Sequence, residues 1–367
     1  MEAIKPTGKI TRGSGALSNF LQEIIRTEDF DSICLITTFG MLKRNHHLQL
    51  LSGKLSSERM ILVSPNPELS DLEKQIEKLR HVECAHLVAV GGGSVLDSAK
   101  ILAFMLRSPR TISLQGALTG NEENRIYSEE RIKLSLVPTT SGTGAEITPF
   151  ATVWDSMNSQ KFSLDGLYHL VDTIVFDPLL LTSAPKEASL FFALDTISHS
   201  LESLWNTNKT KESQANALLA LKLSIEALPV VLQDLKNLKA REHMQQASFL
   251  AGRAIAQTKT ALAHSISYPL SLQYNVPHGL ACSFTLISIY NHLRSVSELE
   301  RNGLDKKEIK DAICFLQTLG LAKIISTYCS KQQAVSLLNE MIHPSRAGNF
   351  ILGKEVPLKN IIETSFE

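Results

Sequence analysis

The sequence predicts an α/β domain built on a parallel sheet, followed by an all-α domain. Three observations carry this. Short β-rich apolar runs alternate with amphipathic stretches in the first half, small-residue turns follow two of those runs, and long 3.6-period patterns take over after Pro185. The 367-residue length suits two domains, and 43% hydrophobic with 20% charged residues is ordinary globular composition, which excludes disordered and fibrous classes. The boundary is placed at residue 185, giving domains 1–185 and 186–367.

The candidate strands are Ile33–Thr37, Met60–Val63, His86–Val90, Lys133–Val137 and Thr173–Phe176, with helical patterns between the earlier ones. Such alternation favours βαβ units and a sheet covered by helices. Thr119–Glu130 is polar and turn-like and reads as a surface excursion. Pro178 and Pro185 bracket the change of character. Beyond them Glu187–Trp205, Ser213–Leu228, Glu242–Thr258 and Lys306–Leu319 read as helices, and no repeat or low-complexity tract interrupts them.

Charge narrows the partners. With 37 Lys plus Arg against 37 Asp plus Glu the chain is formally neutral, whereas nucleic-acid binding and polybasic membrane anchoring need a basic surplus. Five scattered cysteines without C-x-x-C spacing exclude a complete disulfide framework and suit reduced, mostly buried thiols. The first twenty residues lack the apolar stretch of a signal peptide, and no later run approaches the roughly 18 apolar residues of a spanning helix. The expectation is a soluble, cytoplasmic protein acting on a small molecule.

Two turns could meet an anion. The strand His86–Val90 runs into Gly91, Gly92, Gly93 and Ser94, and Val95–Arg107 is helical in pattern. Residues without Cβ let a backbone approach a ligand, and a helix N-terminus favours a pyrophosphate. A tight structural turn explains the glycines equally well, and the pattern is not the usual G-x-G-x-x-G fingerprint. After Val137 come Pro138, Thr139, Thr140, Ser141, Gly142, Thr143 and Gly144, whose hydroxyls and N–H groups could cradle phosphate or ribose. A helix-capping loop is the alternative, but two such turns in one α/β domain favour the nucleotide.

Four residues of the helical half form a candidate ligand set. Asp195 and His199 lie four apart in a helical run and project from one face, among Leu194, Ile197, Leu201 and Leu204. His264 and His278 follow downstream, the latter after Pro277, which fits the first turn of a new helix. Singly, each histidine reads as an ordinary hydrogen-bonded residue. Together, one carboxylate and three imidazoles suit Fe(II) or Zn(II) rather than Mg(II) or Ca(II), and can leave a position for a substrate oxygen.

The segments Gly91–Lys100, Pro138–Glu146, Ala193–Glu202 and His264–Gly279 resemble, in order, the motifs of the iron-dependent (group III) alcohol dehydrogenases. Several spaced motifs in order are far more specific than any one. The resemblance implies a Rossmann-like, dinucleotide-binding N-terminal domain, a helical C-terminal domain in a dehydroquinate synthase-like architecture, and an active site in the cleft between them. It implies metal ligation by Asp195, His199, His264 and His278, pyrophosphate contact by Gly92, Gly93 and Ser94, and cofactor contact by Thr139, Thr140 and Lys161. Asp97 falls at the family's Asp in the glycine motif as a site-shaping residue. Family resemblance also implies a homo-oligomer, commonly a dimer.

Further features are similar to the branch that reduces phosphonoacetaldehyde to 2-hydroxyethylphosphonate: Glu202 to Asn206, Thr258-Lys259-Thr260, His264 to Leu270 and Pro277 to Ser283. A phosphonate dianion needs cationic or N–H partners, and Lys259 is a candidate clamp, with a solvated helix-end charge as its alternative. Many family members carry a proton-relay histidine where this chain has Tyr268, a weaker relay near neutral pH. Thr38 and Phe39 stand where NAD-specific relatives often have an Asp, and Lys43 and Arg44 are close by, so both NAD and NADP are admitted. Alternatives from other classes are a group III enzyme for an uncharged aldehyde such as lactaldehyde, a dehydroquinate synthase-like cyclase, and a non-catalytic nucleotide- or protein-binding descendant. The cyclases centre their metal set on Glu with histidines, whereas this chain presents Asp-x-x-x-His. A non-catalytic descendant would not need all four ligand positions intact.

Overall fold

The structure, a computed structural model, describes residues 8–120, 132–158, 160–354 and 356–367. The expected excursion at Thr119–Glu130 lies almost entirely outside the described residues. Two compact units are present, one of Ile4–Thr140 with Ala145–Leu181, the other containing Ser141–Gly144 and Thr182–Glu367.

The first unit contains β1 (Lys9–Arg12), β2 (Ile33–Thr37), β3 (Met60–Leu62), β4 (His86–Gly91), β5 (Lys133–Pro138), β6 (Ala151–Asp155), β7 (Gln160–Leu164) and β8 (Thr173–Phe176). Six of them form a sheet in the order β1-β8-β5-β4-β2-β3, with every neighbouring pair parallel. β2 and β4 are buried along their whole length, as central strands covered on both faces require. Leu17, Leu21 and Ile24, spaced along one face of the helix Ala16–Thr27, pack with Ile33, Leu35, Val88, Val90 and Val137.

Two features were absent from the sequence expectation. β1 is an edge strand with a single apolar residue, Ile10, and both its ends are exposed, so it lacks a burial pattern. The hairpin β6–β7 alternates buried and half-buried positions from Ala151 to Asp155, a period-two signal interrupted by the inward Asp155, which accepts a hydrogen bond from Asn158 Nδ2 in the turn at 2.7 Å.

The register aligns Gly91 with Pro138, so the two small-residue turns leave neighbouring strands at the same end of the sheet. β3 lies on one side of β2 and β4 on the other, so the chain reverses direction across the sheet beside the glycine turn. Ligands of open α/β sheets bind at such carboxyl-end switch points.

In the second unit the helices Lys186–Leu204, Lys211–Gln233 and Leu238–Thr258 pack on one another, the first shifted by one residue from the expected span and the other two longer than expected. The expected Lys306–Leu319 helix is Lys307–Thr318. Thr210 and Ser213 form a capping box that starts Lys211–Gln233. That helix corrects one expectation: by length and composition alone it is long and apolar enough to cross a membrane. Part of its apolar surface packs in the bundle, where Ala217 and Leu221 join one buried cluster and Ala227, Leu228 and Val231 another, while Leu219 and Val230 are exposed. Pro277 is also corrected, since it is the N-cap of the short helix His278–Ala281 rather than part of its first turn.

Candidate metal centre and glycine turn

From Ala193 to Leu204 the helix Lys186–Leu204 is buried on every side, so its polar side chains must find partners inside the protein. Asp195 is the hub. Its Oδ1 lies 3.4 Å from His199 Nε2, 3.5 Å from His264 Nε2 and 3.8 Å from His278 Nε2. The i,i+4 spacing supplies His199. The first turn of Leu262–Tyr274 supplies His264, and the start of His278–Ala281 supplies His278. Gly279 makes the last approach possible, because a Cβ there would sit 1.9 Å from the Phe191 carbonyl oxygen. Gly142 also lies against this helix, its virtual Cβ 3.0 Å from the Phe192 carbonyl oxygen and 3.4 Å from Asp195 Oδ2.

Glu202, fully buried, organises the site from behind. It accepts hydrogen bonds from His264 Nδ1 at 2.6 Å and from the backbone N–H of Ala261 at 3.1 Å, Ala263 at 2.5 Å and His264 at 3.3 Å. With Nδ1 donating, His264 presents the Nε2 lone pair toward Asp195. That atom is buried and has no hydrogen-bond partner among the described residues. An orphaned acceptor facing a carboxylate that two further imidazoles also face is the arrangement a divalent cation satisfies, so the residues fit a metal.

Electrostatics reflect the cluster. Burial works against an ionised Asp195, but His199, His264 and His278 outweigh it and hold the carboxyl below the usual range. Burial lowers His199 to about 4 against the pull of Asp195. Burial also disfavours charged His264, yet Glu202 and Asp195 raise it to about 9, so a metal would have to displace the Nε2 proton before that lone pair becomes a ligand.

Sequence reasoning missed two residues here. Glu202 stood in a quoted motif without a role, and its partners are 59 to 62 residues away in sequence. Cys282 is one of the five cysteines expected to be reduced, mostly buried thiols. Its Sγ lies 3.6 Å from Asp195 Oδ1, and the ligand atoms of Asp195, His264, His278 and Cys282 all fall within 4.8 Å of one another. The i,i+4 offset from His278 across a helix start is the only local signal for it.

The predicted catalytic pair is placed differently. Tyr268 is one turn beyond His264 on the same helix and half-buried. Lys259, exposed, ends Leu238–Thr258 with φ 60° and ψ 176°, a conformation that strongly favours glycine. Its carbonyl accepts from Asn206 Nδ2 at 3.2 Å and from Thr258 Oγ1 at 2.9 Å.

In the first unit Gly92 is the N-cap of the helix Gly93–Arg107, and its carbonyl already accepts from Val95 and Leu96, leaving the Gly93 and Ser94 N–H groups at the open first turn. A Cβ on Gly92 would come 3.1 Å from Thr140 Cγ2, so the glycine turn and the Thr139–Thr140 segment face each other across a gap that a side chain would fill. Uncovered N–H groups at a helix start, with no side chain on Gly92 to block them, suit a phosphate. Thr139 N–H donates to the Gly91 carbonyl at 2.9 Å, and Ser94 Oγ accepts from Asn66 N–H at 3.2 Å. Asp97 is committed to the scaffold, accepting from Thr152 N–H at 3.0 Å and pairing with the buried Lys100 at 2.9 Å. Lys161 stands on β7 with its ammonium 4.6 Å above the Trp154 ring. In the other unit the carbonyls of Ser141 and Gly142 accept from Thr196 Oγ1 at 2.9 and 3.4 Å, and Thr143 is half-buried.

A parallel α/β unit with a glycine turn at a helix start, and a helical unit with a one-carboxylate, three-imidazole cluster, define a nucleotide- and metal-binding class of protein. Residues 6–178 match the family model for iron-containing alcohol dehydrogenase, and residues 191–336 match that for the C-terminal part of the Fe-containing alcohol dehydrogenase family. The chain belongs to the iron-containing alcohol dehydrogenase family. Among curated relatives, it is 32% identical over 289 residues to the bifunctional aldehyde-alcohol dehydrogenase AdhE of Escherichia coli (strain K12), covering 76% of this chain and 32% of that protein. It is 34% identical over 242 residues to the phosphonoacetaldehyde reductase of Streptomyces viridochromogenes, covering 63% of this chain and 60% of that one. The match therefore spans about a third of the first relative and three fifths of the second. The fold matches the sulfoacetaldehyde reductase from Bifidobacterium kashiwanohense, crystallised with NAD+, at a TM-score of 0.80 and 23% identity, covering 99% of this chain and 96% of that one. It also matches the iron-containing alcohol dehydrogenase from Thermotoga maritima at a TM-score of 0.78 and 24% identity, covering 99% and 98%.

Proposed function

We propose that the protein reduces a small aldehyde to a primary alcohol with NAD(P)H at a divalent metal, Fe(II) by family, held by Asp195, His199, His264 and His278. The observation that carries this is the convergence of three imidazole Nε2 atoms on a single Asp195 oxygen at 3.4 to 3.8 Å inside a buried helix face. When bound, the metal supplies Lewis acidity toward a carbonyl oxygen, and the reduced nicotinamide supplies the hydride.

The chain's own residues do the rest. Glu202 fixes the His264 tautomer, and Gly92, Gly93, Ser94, Thr139 and Thr140 take the cofactor's phosphates, with N–H groups at a helix start compensating their charge. Asp97 holds the hairpin against that helix. Tyr268, one turn from His264, is the side-chain proton donor assigned to the product oxygen.

The substrate reading is phosphonoacetaldehyde, reduced to 2-hydroxyethylphosphonate. It rests on the 34% identical relative of that name and on Lys259, an exposed cation in a backbone conformation costing about 1–3 kcal/mol that a neutral glycine would avoid. An uncharged aldehyde is the second reading, favoured by the AdhE match over 76% of this chain. An anaerobic assay of the Fe(II)-loaded protein with NADH and NADPH against phosphonoacetaldehyde, acetaldehyde and lactaldehyde separates them. Preference for the phosphonate is expected. In Lys259→Gly the phosphonate-to-acetaldehyde ratio of kcat/KM should fall at least about tenfold, the loss of one charge-assisted contact, with no loss of thermal stability. A wild-type preference for lactaldehyde would sink the substrate reading and leave the metal site standing.

A further inference from the structure

We infer that the adenosine end of the cofactor site selects NADPH over NADH, with the Arg44 guanidinium receiving the 2′-phosphate. The inference rests on the proposed reading of the glycine turn as a dinucleotide site, and names the cofactor and a specificity residue beyond it. All the residues concerned lie in the α/β unit.

Topology places the contact. β2 lies beside β4 in parallel register with Thr37 opposite Val90, and Thr37 Oγ1 donates to the Val90 carbonyl at 2.7 Å, so β2 ends next to the start of the glycine turn. In dinucleotide sites of open α/β sheets the residues after the neighbouring strand meet the adenosine ribose, where a carboxylate holds the 2′-hydroxyl of NAD and repels a 2′-phosphate. Here that position is Thr38, whose hydroxyl accepts from the Met41 N–H at 3.1 Å and keeps its own proton to donate. Residues 32–57 contain neither Asp nor Glu, and neither do residues 63–67 after β3, where the Val63 N–H donates to the Thr37 carbonyl at 2.8 Å. Glu68, next along, is turned to Ser156, accepting from its N–H at 3.2 Å and from its hydroxyl.

Charge of the opposite sign stands there instead. The helix Phe39–Arg44 follows β2 directly, and its last residue folds back along it: a Cβ on Gly40 would lie 3.4 Å from Arg44 Nη1 and 3.7 Å from Nη2. The guanidinium therefore sits over the first turn, at the helix end that joins β2. Arg44 is exposed, and its guanidinium makes no hydrogen bond or ion pair among the described residues. A planar cation of this kind suits a phosphate dianion, which it can meet with two parallel N–H···O bonds. Lys43 adds a second exposed positive charge, and Phe39, 67% exposed, offers a ring face for adenine beside Thr38.

The test is a fluorescence titration of the full-length protein with NADPH and NADH, with adenosine 2′,5′-bisphosphate and adenosine 5′-monophosphate as competitors. NADPH should bind at least about tenfold more tightly than NADH, the share of one charge-assisted contact, and the bisphosphate should displace it at least about tenfold better than the monophosphate. In Arg44→Ala the NADPH-to-NADH affinity ratio should fall at least about tenfold. In Thr38→Asp, which caps the helix as Thr does, the ratio should turn in favour of NADH. Equal or NADH-favouring binding by the wild type, or a ratio unchanged in Arg44→Ala, overturns the inference and leaves the dinucleotide reading intact. Binding of neither nucleotide by the wild type overturns both.

Discussion

Glu202 is fully buried, so the four hydrogen bonds it accepts from the described residues compensate its charge. Removing it frees the His264 ring to rotate and leaves the Ala261 and Ala263 N–H groups unpaired. Glu202→Ala is expected to weaken metal binding by about 10- to 100-fold, as lost outer-shell partners do, measured by competition with a chromophoric chelator. Glu146 behaves differently. Burial raises its carboxyl to about 7 from the ordinary 4.5, against the pull of Lys100 and Arg12. Its folded form therefore holds a proton that the unfolded chain gives up, and the contribution to stability falls as pH rises from about 4.5 to about 7, then stays level. Glu146→Gln should be more stable than wild type at about pH 8, by up to about 3 kcal/mol, and equal to it near pH 4, read from denaturant midpoints. A pH-independent difference would contradict this. The Asp195–His199 pair was legible because its spacing is local. Glu202 was not, since its role arises from a contact 62 residues away.

The short helix His278–Ala281 and the long helix Lys186–Leu204 meet where only a hydrogen fits. Gly279→Ala would place a methyl 1.9 Å from the Phe191 carbonyl oxygen, and backbone cannot rotate aside as a side chain can. The helix must then back away, carrying His278 from Asp195. A loss of about 3 kcal/mol in stability together with loss of bound metal is expected, by thermal unfolding and elemental analysis. Unchanged metal content would show that His278 is not held by this contact. Helices with strong periodicity were legible to within a few residues, because their buried stripes recur every turn. β1 was not, because an exposed edge strand of four residues with one apolar side chain imposes almost no pattern. The hairpin β6–β7 was obscured by Asp155, a polar residue turned inward to bond its own loop.

Across the molecule, formal neutrality conceals a division of chemistry: a cradle of glycines and threonines in the α/β unit, and a buried carboxylate ringed by imidazoles in the helical one. The parallel sheet and the helical half were legible because continuous apolar strands and long periodic helices have different repeat lengths. How His264 and His278 reach Asp195 was not, because that depends on where two helix starts converge in space. The central claim is that the imidazole and carboxylate cluster holds a metal on which the proposed reduction depends. The most direct measurement is metal content, NAD(P)H-binding fluorescence and aldehyde-dependent NAD(P)H oxidation, on the same preparations of wild type, His264→Ala and His278→Ala. Joint loss of metal and turnover with cofactor binding retained is predicted. Wild-type turnover in metal-free His264→Ala protein would contradict it.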